Sequence, residues 1–511
     1  MRRPQLLLVP LLALIVPLLL PTAPAAASPA AISWAPCEED PTAECGTLAV
    51  PVDWDNPAAG TFELALARRK ATDPGARIGS LVINPGGPGG SGVDAVVRNW
   101  LPFTPELTRR FDVVGFDPRG VGRSHPVVCS RELLGRSPDP IMKSQADFDA
   151  MLAYNERLRQ DCRARTGPLF DHVDTGSVVR DLDALRAALG EDKLTYYGIS
   201  YGTLIGQLYA ERFPGRVRAL ALDSNMDHSL GTAAFLDTEA WTAQDSFNEF
   251  AAWCGRSAQC ALHGQDVRAV WARLLERAER GELHLPGEPD VKITPLLLVY
   301  NALGAFYGPD WAGLAEFLLA LDTGAGTADS ALRPLARQAG EEVVPYPAQV
   351  FCLDYLLPVR DYREYARHLR RSALIAPDMR YSPLAASMLA ACLGQRAPIP
   401  NPQHRLRVDG TPTLLVGNTL HDPATGYPWA VSTALQIGRE ARLLTHEGWG
   451  HGIYGNGECA TTAVDRYLVS LALPARGARC PAVPPAEVSA RQARPPIAGP
   501  LPGLPGWTFT R

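Results

Sequence analysis

Short apolar runs alternate with amphipathic stretches along this chain, a pattern that predicts strands followed by helices. The runs of strand length are Gly79–Asn84, Phe111–Phe116, Leu194–Gly198, Val217–Leu222, Pro412–Val416 and Arg442–Thr445. Helical spacing of apolar residues is found in Ser177–Leu189, Tyr201–Phe213 and Glu458–Leu471. The alternation predicts an α/β fold in which helices flank a mostly parallel central sheet.

The alternation of strands and helices breaks in the middle of the chain and later resumes. We therefore expect one sheet domain formed by residues 28–228 and 409–480 and interrupted by a mostly helical insertion at 229–408. Residues 481–511 contain many Pro and Gly and predict an extended tail.

The first 27 residues predict a secretory signal peptide rather than part of the fold. Arg2 and Arg3 precede an apolar run at 6–20, and small residues lead up to a cleavage site near Ala27. A membrane anchor is the alternative, but about 15 apolar residues are short for a span of roughly 20. No later segment is long and apolar enough to span a bilayer, so we expect a secreted protein.

The charge of the chain argues against one class of function, and its cysteine content indicates disulfides. The net charge of −5 includes no block of like charges, which argues against nucleic-acid binding. An even number of cysteines in an exported chain suggests disulfides, although spacing alone does not give their pairing. The simplest pairing joins sequence neighbours, and no cysteine spacing favours a metal site. The ten cysteines are Cys37, Cys45, Cys129, Cys162, Cys254, Cys260, Cys352, Cys392, Cys459 and Cys480.

A candidate nucleophile lies between a predicted strand and a predicted helix. Ser200 is flanked by Gly198 and Gly202 in a Gly-x-Ser-x-Gly motif. Small residues on both sides allow a serine to occupy the strained turn called a nucleophile elbow. The alternative is an ordinary strand-to-helix turn.

A glycine-rich segment at 84–92, Asn-Pro-Gly-Gly-Pro-Gly-Gly-Ser-Gly, follows an earlier predicted strand. Such a loop beside the elbow can supply one backbone N–H of an oxyanion hole, and the residue after the nucleophile can supply another. A flexible turn or a phosphate loop is the alternative, but the Gly-Lys-Ser/Thr of a Walker loop is absent.

An acid and a base follow in the order that an elbow serine requires. Asp422 comes after the strand Pro412–Val416, and His451 comes after Arg442–Thr445 with a glycine on each side. Rival strand-end residues are His421 as the base and Asp117 or Asp223 as the acid. The rival base lacks a glycine-rich context, and the rival acids come too early in the chain or too close to the elbow.

Several motifs together carry a resemblance to a known family. Residues 84–92, 116–124 (Phe-Asp-Pro-Arg-Gly-Val-Gly-Arg-Ser) and 198–203 (Gly-Ile-Ser-Tyr-Gly-Thr) resemble α/β-hydrolases of the proline iminopeptidase and tripeptidyl aminopeptidase group. The resemblance is strongest to the secreted tripeptidyl aminopeptidase-like branch and extends over roughly 33–480. The segment at 222–228 departs from the usual pattern of that branch, so the resemblance implies more about the chemistry than about substrate preference.

The resemblance implies a helical cap, a Ser200–Asp422–His451 triad and oxyanion N–H groups from Gly87 and Tyr201. It also favours disulfides between cysteines that are neighbours in sequence. We therefore expect a secreted serine exopeptidase that cleaves peptides near a free N-terminus through an acyl-enzyme, with no metal or organic cofactor. The alternatives are an esterase or other acyl hydrolase with the same triad and a catalytically silent fold that binds a partner. Oligomeric state is not predicted.

Recognition of a peptide's amino group requires acids or carbonyls at a fixed distance from Ser200. Acids of the insertion region that qualify are Asp227, Glu239, Asp245 and Asp354. For each of them, a solvated or helix-capping role is the more common one, so none is included in the predicted site.

Overall fold

The computed structural model describes residues 32–101, 103–286, 288–324, 332–334, 342–485 and 507–509. The expected signal peptide lies outside these residues, as does most of the expected C-terminal tail.

A ten-stranded sheet forms the centre of the molecule, in the order β1-β2-β3-β5-β4-β7-β8-β13-β14-β15. Neighbours from β5 to β15 run parallel, whereas β1, β2 and β3 pair antiparallel at one edge. The strands of the described residues are β1 (Ala35–Pro36), β2 (Glu44–Pro51), β3 (Thr61–Arg69), β4 (Gly79–Asn84), β5 (Phe111–Phe116), β6 (Val128–Ser130), β7 (Leu194–Ile199), β8 (Val217–Asp223), β9 (His284–Leu285), β10 (Glu288–Lys292), β11 (Leu332–Pro334), β12 (Val343–Pro345), β13 (Leu414–His421), β14 (Ala441–Trp449), β15 (Arg479–Cys480) and β16 (Trp507–Phe509).

Helices cover both faces of this sheet. The described helices are α1 (Gly92–Val97), α2 (Pro105–Arg110), α3 (Arg131–Leu134), α4 (Gln145–Thr166), α5 (Thr175–Ala188), α6 (Tyr201–Arg212), α7 (Thr232–Arg256), α8 (Val267–Glu279), α9 (Pro295–Tyr307), α10 (Trp311–Thr323), α11 (Ala348–Asp354), α12 (Tyr362–Ile375), α13 (Pro383–Cys392), α14 (Tyr427–Ile437) and α15 (Glu458–Ser470). One apolar core contains residues of α5, α6 and α14, and a second contains residues of α1, α2 and α15. Adjacent Tyr196 and Tyr197 of β7 belong to different cores, as expected because successive strand side chains point to opposite faces.

The predicted fold class is confirmed, while four of the six predicted strands differ in their bounds. β7 and β8 each extend one residue further, to Ile199 and Asp223, and β13 and β14 begin at Leu414 and Ala441. β4 and β5 have the predicted bounds, whereas β13 and β14 run on to His421 and Trp449. Polar and glycine residues within these extensions interrupt the apolar run, so the sequence does not predict them as strand. The antiparallel strands β1 to β3 were not predicted, because the apolar runs of β2 and β3, Leu48–Val50 and Leu64–Ala67, are only three and four residues long.

Seven helices and four short strands occupy the described residues between β8 and β13. Buried residues of α7, α8, α9 and α10 form an apolar core of their own, which includes Trp271, Leu298 and Leu318. This interval is mostly helical, while the boundaries 229–408 stay a prediction.

All ten cysteines form disulfides, and none is free. The pairs are Cys37–Cys45, Cys129–Cys162, Cys254–Cys260, Cys352–Cys392 and Cys459–Cys480. These are the pairs between sequence neighbours that the resemblance favours.

Membrane-spanning helices and metal-binding clusters are both absent from the described residues. None of the helices there combines the length and the apolar character that a membrane crossing needs. The same residues contain no cluster of three or more His, Cys, Asp or Glu able to hold a metal ion.

Candidate active site

Four neighbouring parallel strands bring the predicted site residues to one edge of the sheet. β7, β8, β13 and β14 are adjacent in that order, so their carboxyl ends meet at the same edge. Ser200 follows β7, Asp422 follows β13 and His451 follows β14. Ligands and catalytic groups of α/β sheets are found at such an edge.

Ser200 occupies the strained turn that its motif predicts. Its φ of +57° lies in the left-handed region, and its N–H donates to the carbonyl of Asp223 at 2.9 Å. A Cβ on Gly198 would lie 2.5 Å from the carbonyl oxygen of Gly202, and a Cβ on Gly202 would lie 2.7 Å from that of Asn84. Both glycines are therefore required by close packing around the serine.

The glycine-rich loop packs directly on this turn. A Cβ on Gly86 would lie 2.4 Å from the carbonyl oxygen of Ile199 and 2.9 Å from the amide nitrogen of Tyr201. Asn84 Oδ1 accepts from the Gly86 N–H at 2.9 Å and thereby fixes the start of the loop. Within the described part of the chain, the N–H groups of Gly87 and Tyr201 donate to no acceptor. Both are thus free to receive a ligand oxygen.

His451 and Asp422 form a buried acid–base pair. The imidazole Nδ1 lies 2.9 Å from Asp422 Oδ1 and 3.0 Å from Oδ2, and the two residues are 6% and 2% exposed. A carboxylate in this position fixes one tautomer of the imidazole and leaves Nε2 as the acceptor.

Hydrogen bonds hold the Asp422 carboxylate in its ionised form. Burial raises the pKa of this carboxyl, but the charge and hydrogen bond of His451, with further donors, hold it below its usual value. Those donors are the Ser224 hydroxyl at 2.6 Å, the N–H groups of Ala424 and Thr425 at 2.9 Å each, and the Thr425 hydroxyl at 3.2 Å.

The loop that carries His451 is held from two sides. The His451 N–H donates to the carbonyl of Tyr307, the last residue of α9, at 2.9 Å, and the two rings lie 4.9 Å apart. On the other side, the Asp223 carboxylate accepts from the N–H groups of Ile453 and Tyr454 at 2.7 and 3.0 Å. Since the Asp223 carbonyl also holds Ser200, this aspartate joins the elbow to the histidine loop.

Ser200 and His451 are not hydrogen-bonded to each other in the structure. Among the described residues, neither Ser200 Oγ nor His451 Nε2 has a hydrogen-bond partner. Contacts of this kind are often long in a free enzyme and tighten when substrate binds.

The rival residues have other partners. His421 Nδ1 lies 2.8 Å from Asp245 Oδ2, in the insertion region. Asp117 accepts from the Ser91 hydroxyl at 2.5 Å and from the Arg123 N–H at 2.7 Å, which links the start of α1 to the loop after β5. Asp223 has the structural contacts described above.

The four acids that were considered for amine recognition lie in different environments. Asp227 accepts from the Ser229 hydroxyl at 2.6 Å, and Asp245 pairs with the imidazole already described. Burial raises the pKa of Glu239 to about 8, and Ser382 donates to this carboxyl at 2.6 Å. Burial also raises the pKa of Asp354 to about 7, where the Tyr201 hydroxyl and Asn401 donate to it.

Two residues of the site were not found from the sequence. Ser224 contacts Asp422 but has no motif of its own, and its only signal is its position directly after β8. Tyr307 contacts His451 from about 140 residues away through a backbone carbonyl, which any residue type carries. No sequence signal identifies such a contact.

The chain was compared with known protein families and proteins. Residues 79–313 match the family model described as the alpha/beta hydrolase fold, and residues 377–480 match the one described as TAP-like protein. The serine protease Hip1 of Mycobacterium tuberculosis is 34% identical over 480 residues, which cover 88% of this chain and 91% of the relative.

Two other relatives cover the chain to a similar extent. The tripeptidyl aminopeptidase of Streptomyces lividans is 31% identical over 487 residues, which cover 90% of this chain and 88% of the relative. The carboxylesterase B of Mycobacterium tuberculosis is 33% identical over 460 residues, 86% of each chain. The chain therefore belongs to the α/β-hydrolase family, in the group that includes the serine protease Hip1 and tripeptidyl aminopeptidase.

Proposed function

We propose that this protein is a secreted serine exopeptidase of the tripeptidyl aminopeptidase type, which hydrolyses peptide bonds near a free N-terminus. The observation that carries the proposal is the buried Asp422–His451 pair, at the sheet edge where Ser200 occupies a strained elbow. The similarity to relatives named serine protease and tripeptidyl aminopeptidase supports a peptide substrate.

Acylation uses the serine and the histidine. His451 Nε2 accepts the proton of Ser200 Oγ as the oxygen attacks the peptide carbonyl carbon. The carbonyl electron pair moves onto oxygen, and the N–H groups of Gly87 and Tyr201 bind the resulting oxyanion, each worth about 3 kcal/mol in comparable enzymes. The C–N bond then breaks, and His451 delivers its proton to the leaving amine.

Deacylation repeats these steps with water. His451 accepts a proton from water as its oxygen attacks the acyl-enzyme carbonyl, and the same N–H groups bind the second oxyanion. The Ser200 C–O bond breaks, the proton returns to Ser200 Oγ, and the carboxylic acid product leaves. Throughout, Asp422 stays ionised and stabilises the imidazolium.

The insertion at 229–408 is proposed as a cap over this edge of the sheet. Its α9 contacts His451 through Tyr307, and its α7 contacts the end of β13 through Asp245. A cap that leaves room only for a chain end would restrict cleavage to peptide termini. The five disulfides are compatible with secretion, because they persist in oxidising compartments.

The test is hydrolysis of fluorogenic tripeptides with a free or an acetylated N-terminus, with Ser200→Ala as the blank. We expect cleavage of the free-amine substrate and at least a hundredfold lower kcat/KM for the acetylated one. We also expect Ser200→Ala to lose at least 10³-fold in kcat while its thermal unfolding stays unchanged, because only the nucleophile is removed. Full activity of the Ser200→Ala variant would refute the mechanism.

An esterase is the second candidate, and the relative named carboxylesterase B is the observation that favours it. The same triad hydrolyses esters, so the two functions differ in what the cap admits. Equal cleavage of free and acetylated peptides, or cleavage of simple esters alone, would assign the protein to this second class.

A further inference from the structure

Ser224 has a backbone conformation that is unfavourable for serine. It directly follows β8, is fully buried and has a φ of +61°, in the left-handed region. Glycine adopts this conformation without the steric penalty that a Cβ brings. The Ser224 N–H donates to the carbonyl of Gly417 at 2.9 Å, which fixes the residue against β13.

The Ser224 side chain connects the two halves of the acid–base pair. Its hydroxyl donates to Asp422 Oδ2 at 2.6 Å and accepts from the N–H of Gly452 at 2.7 Å. Gly452 is the residue after His451, so one hydroxyl contacts both the carboxylate and the loop that carries the imidazole. The one donor and the acceptor capacity of the hydroxyl are both used.

We infer that Ser224 is a positioning residue for the proposed reaction: it fixes the Asp422 carboxylate and the His451 loop in the relative orientation that proton transfer needs. The inference rests on the proposed function, since it assigns a role within the same triad. Ser224 acts through Asp422 and His451 and does not itself contact the reacting atoms.

The two oxygens of Asp422 depend on different donors, which makes Ser224 hard to replace. Oδ1 accepts from the N–H groups of Ala424 and Thr425, whereas Oδ2 accepts from two hydroxyls. The Thr425 hydroxyl lies at 3.2 Å, so Ser224 at 2.6 Å makes the shorter, charge-assisted bond to Oδ2. Without it, Oδ2 keeps only the longer contact with the Thr425 hydroxyl, so the carboxylate still contacts Nδ1 but no longer holds one fixed orientation.

Loss of the hydroxyl also changes the charge that the imidazole experiences. A hydrogen bond to Oδ2 withdraws negative charge from the carboxylate, and its removal makes Asp422 a stronger acceptor for the imidazolium. The acidic limb of the pH profile of kcat/KM should therefore move to higher pH. A residue that only supports packing would leave that limb unchanged.

The experiment compares Ser224→Gly and Ser224→Ala in the full chain. Both lack the hydroxyl, but the glycine variant relieves the left-handed strain and the alanine variant keeps it. For both we expect kcat to fall about tenfold or more, the range of a lost hydrogen bond to a charged group, with KM within twofold. We expect Ser224→Gly to unfold at a higher temperature than Ser224→Ala, because both lose the same hydrogen bonds and only the alanine variant keeps the strain.

Leu471→Gly is the matched control for strain relief. Leu471 has a φ of +60°, is 46% exposed and follows α15, so its replacement should leave kcat and the pH profile unchanged. Normal kcat per folded molecule and an unmoved acidic limb in both Ser224 variants would overturn the inference, whatever their unfolding temperatures.

Ser200→Ala and a fluorophosphonate probe separate this inference from the proposed function. The probe reports the nucleophilicity of the serine without reference to the substrate class, and its labelling rate should fall in both Ser224 variants. If Ser200→Ala is inactive and unlabelled while the Ser224 variants react normally, only the positioning role fails. If Ser200→Ala keeps its activity, the proposed function fails and the role of Ser224 fails with it.

Discussion

At the scale of single residues, the site depends on positions where any side chain beyond hydrogen would collide. Gly86 illustrates this, because an added Cβ would lie 2.4 Å from the Ile199 carbonyl oxygen and 2.9 Å from the Tyr201 nitrogen. The first contact is with backbone, which cannot move aside as a flexible side chain can. Close approach of the loop to the elbow thus requires glycine at this position.

Gly86→Ala should therefore lower kcat at least tenfold, because the displaced loop no longer presents its N–H groups at the oxyanion position. Gly190→Ala is the matched control, since Gly190 has a similar positive φ (+75° against +86°) and an added Cβ there would have no described atom within 4 Å. Steady-state kinetics and thermal unfolding of both variants check the prediction. Equal losses of activity in the two variants would mean that backbone strain, and not displacement of the loop, lowers kcat.

At this scale, the sequence predicts candidate residues that have a distinctive residue type and sequence context. Ser200, Asp422 and His451 follow predicted strands in a fixed order, and glycines flank the first and the last of them. Ser224 could not be found in this way, since its partner Asp422 is 198 positions away and a serine after a strand is common. The contact exists only because β8 and β13 are neighbours in the folded sheet.

At the scale of elements, α7 contacts the ends of β13 and β14, the strands that precede Asp422 and His451. Asp245 of α7 contacts His421 at the end of β13, and Glu249 accepts from the Trp449 indole at the end of β14, at 2.9 Å. The sequence predicts helices in the insertion, but it does not predict which residues of α7 face these strand ends, that is, their register. That register is decided by packing of side chains far apart in the chain.

The His421–Asp245 contact should make stability depend on pH. Burial lowers the pKa of His421, but the hydrogen bond and charge of Asp245 outweigh burial and raise it above its ordinary value of 6.5. Because the folded chain holds the proton more tightly, the stabilisation is full below about pH 6.5 and is lost as the pH rises through the folded pKa.

His421→Gln should therefore destabilise the protein most at pH 5.5 to 6, by about 1 kcal/mol for a partly exposed pair, and least above pH 8. The free energy of unfolding, measured by chemical denaturation across this pH range, checks the prediction. Asp245→Asn should show the same pH dependence. A constant difference between the variant and the unmodified chain at every pH would contradict the prediction.

At the scale of the whole molecule, buried neutral histidines predict sensitivity to acid. His446 of β14 is 1% exposed, and neither ring nitrogen has a hydrogen-bond partner among the residues that the structure describes. Burial lowers the pKa of His446 to about 4. Burial also lowers the pKa of His228 to about 4. The unfolded chain binds protons at both rings below about pH 6.5, whereas the folded chain does not until about pH 4.

Stability should consequently fall as the pH drops from about 6.5 to 4, by about 3 kcal/mol for each of the two histidines. His446→Leu should lessen the loss between pH 7 and pH 4.5, as measured by urea unfolding. His421→Gln is the control, because Asp245 raises the pKa of His421 and removal of this imidazole should not lessen the loss. An unchanged acid response in His446→Leu would contradict this account.

The contact between Tyr307 and His451 limits how this protein can be re-engineered. The carbonyl at the end of α9 accepts from the His451 N–H, and a Cβ on Gly450 would lie 2.9 Å from that same oxygen. If the insertion were replaced by that of a relative, the end of its α9 would have to place a carbonyl at the same position to accept from the His451 N–H. The proposed insertion is therefore joined to the histidine loop, and we expect that a chimera that exchanges it must carry both sides of this contact to keep His451 in place.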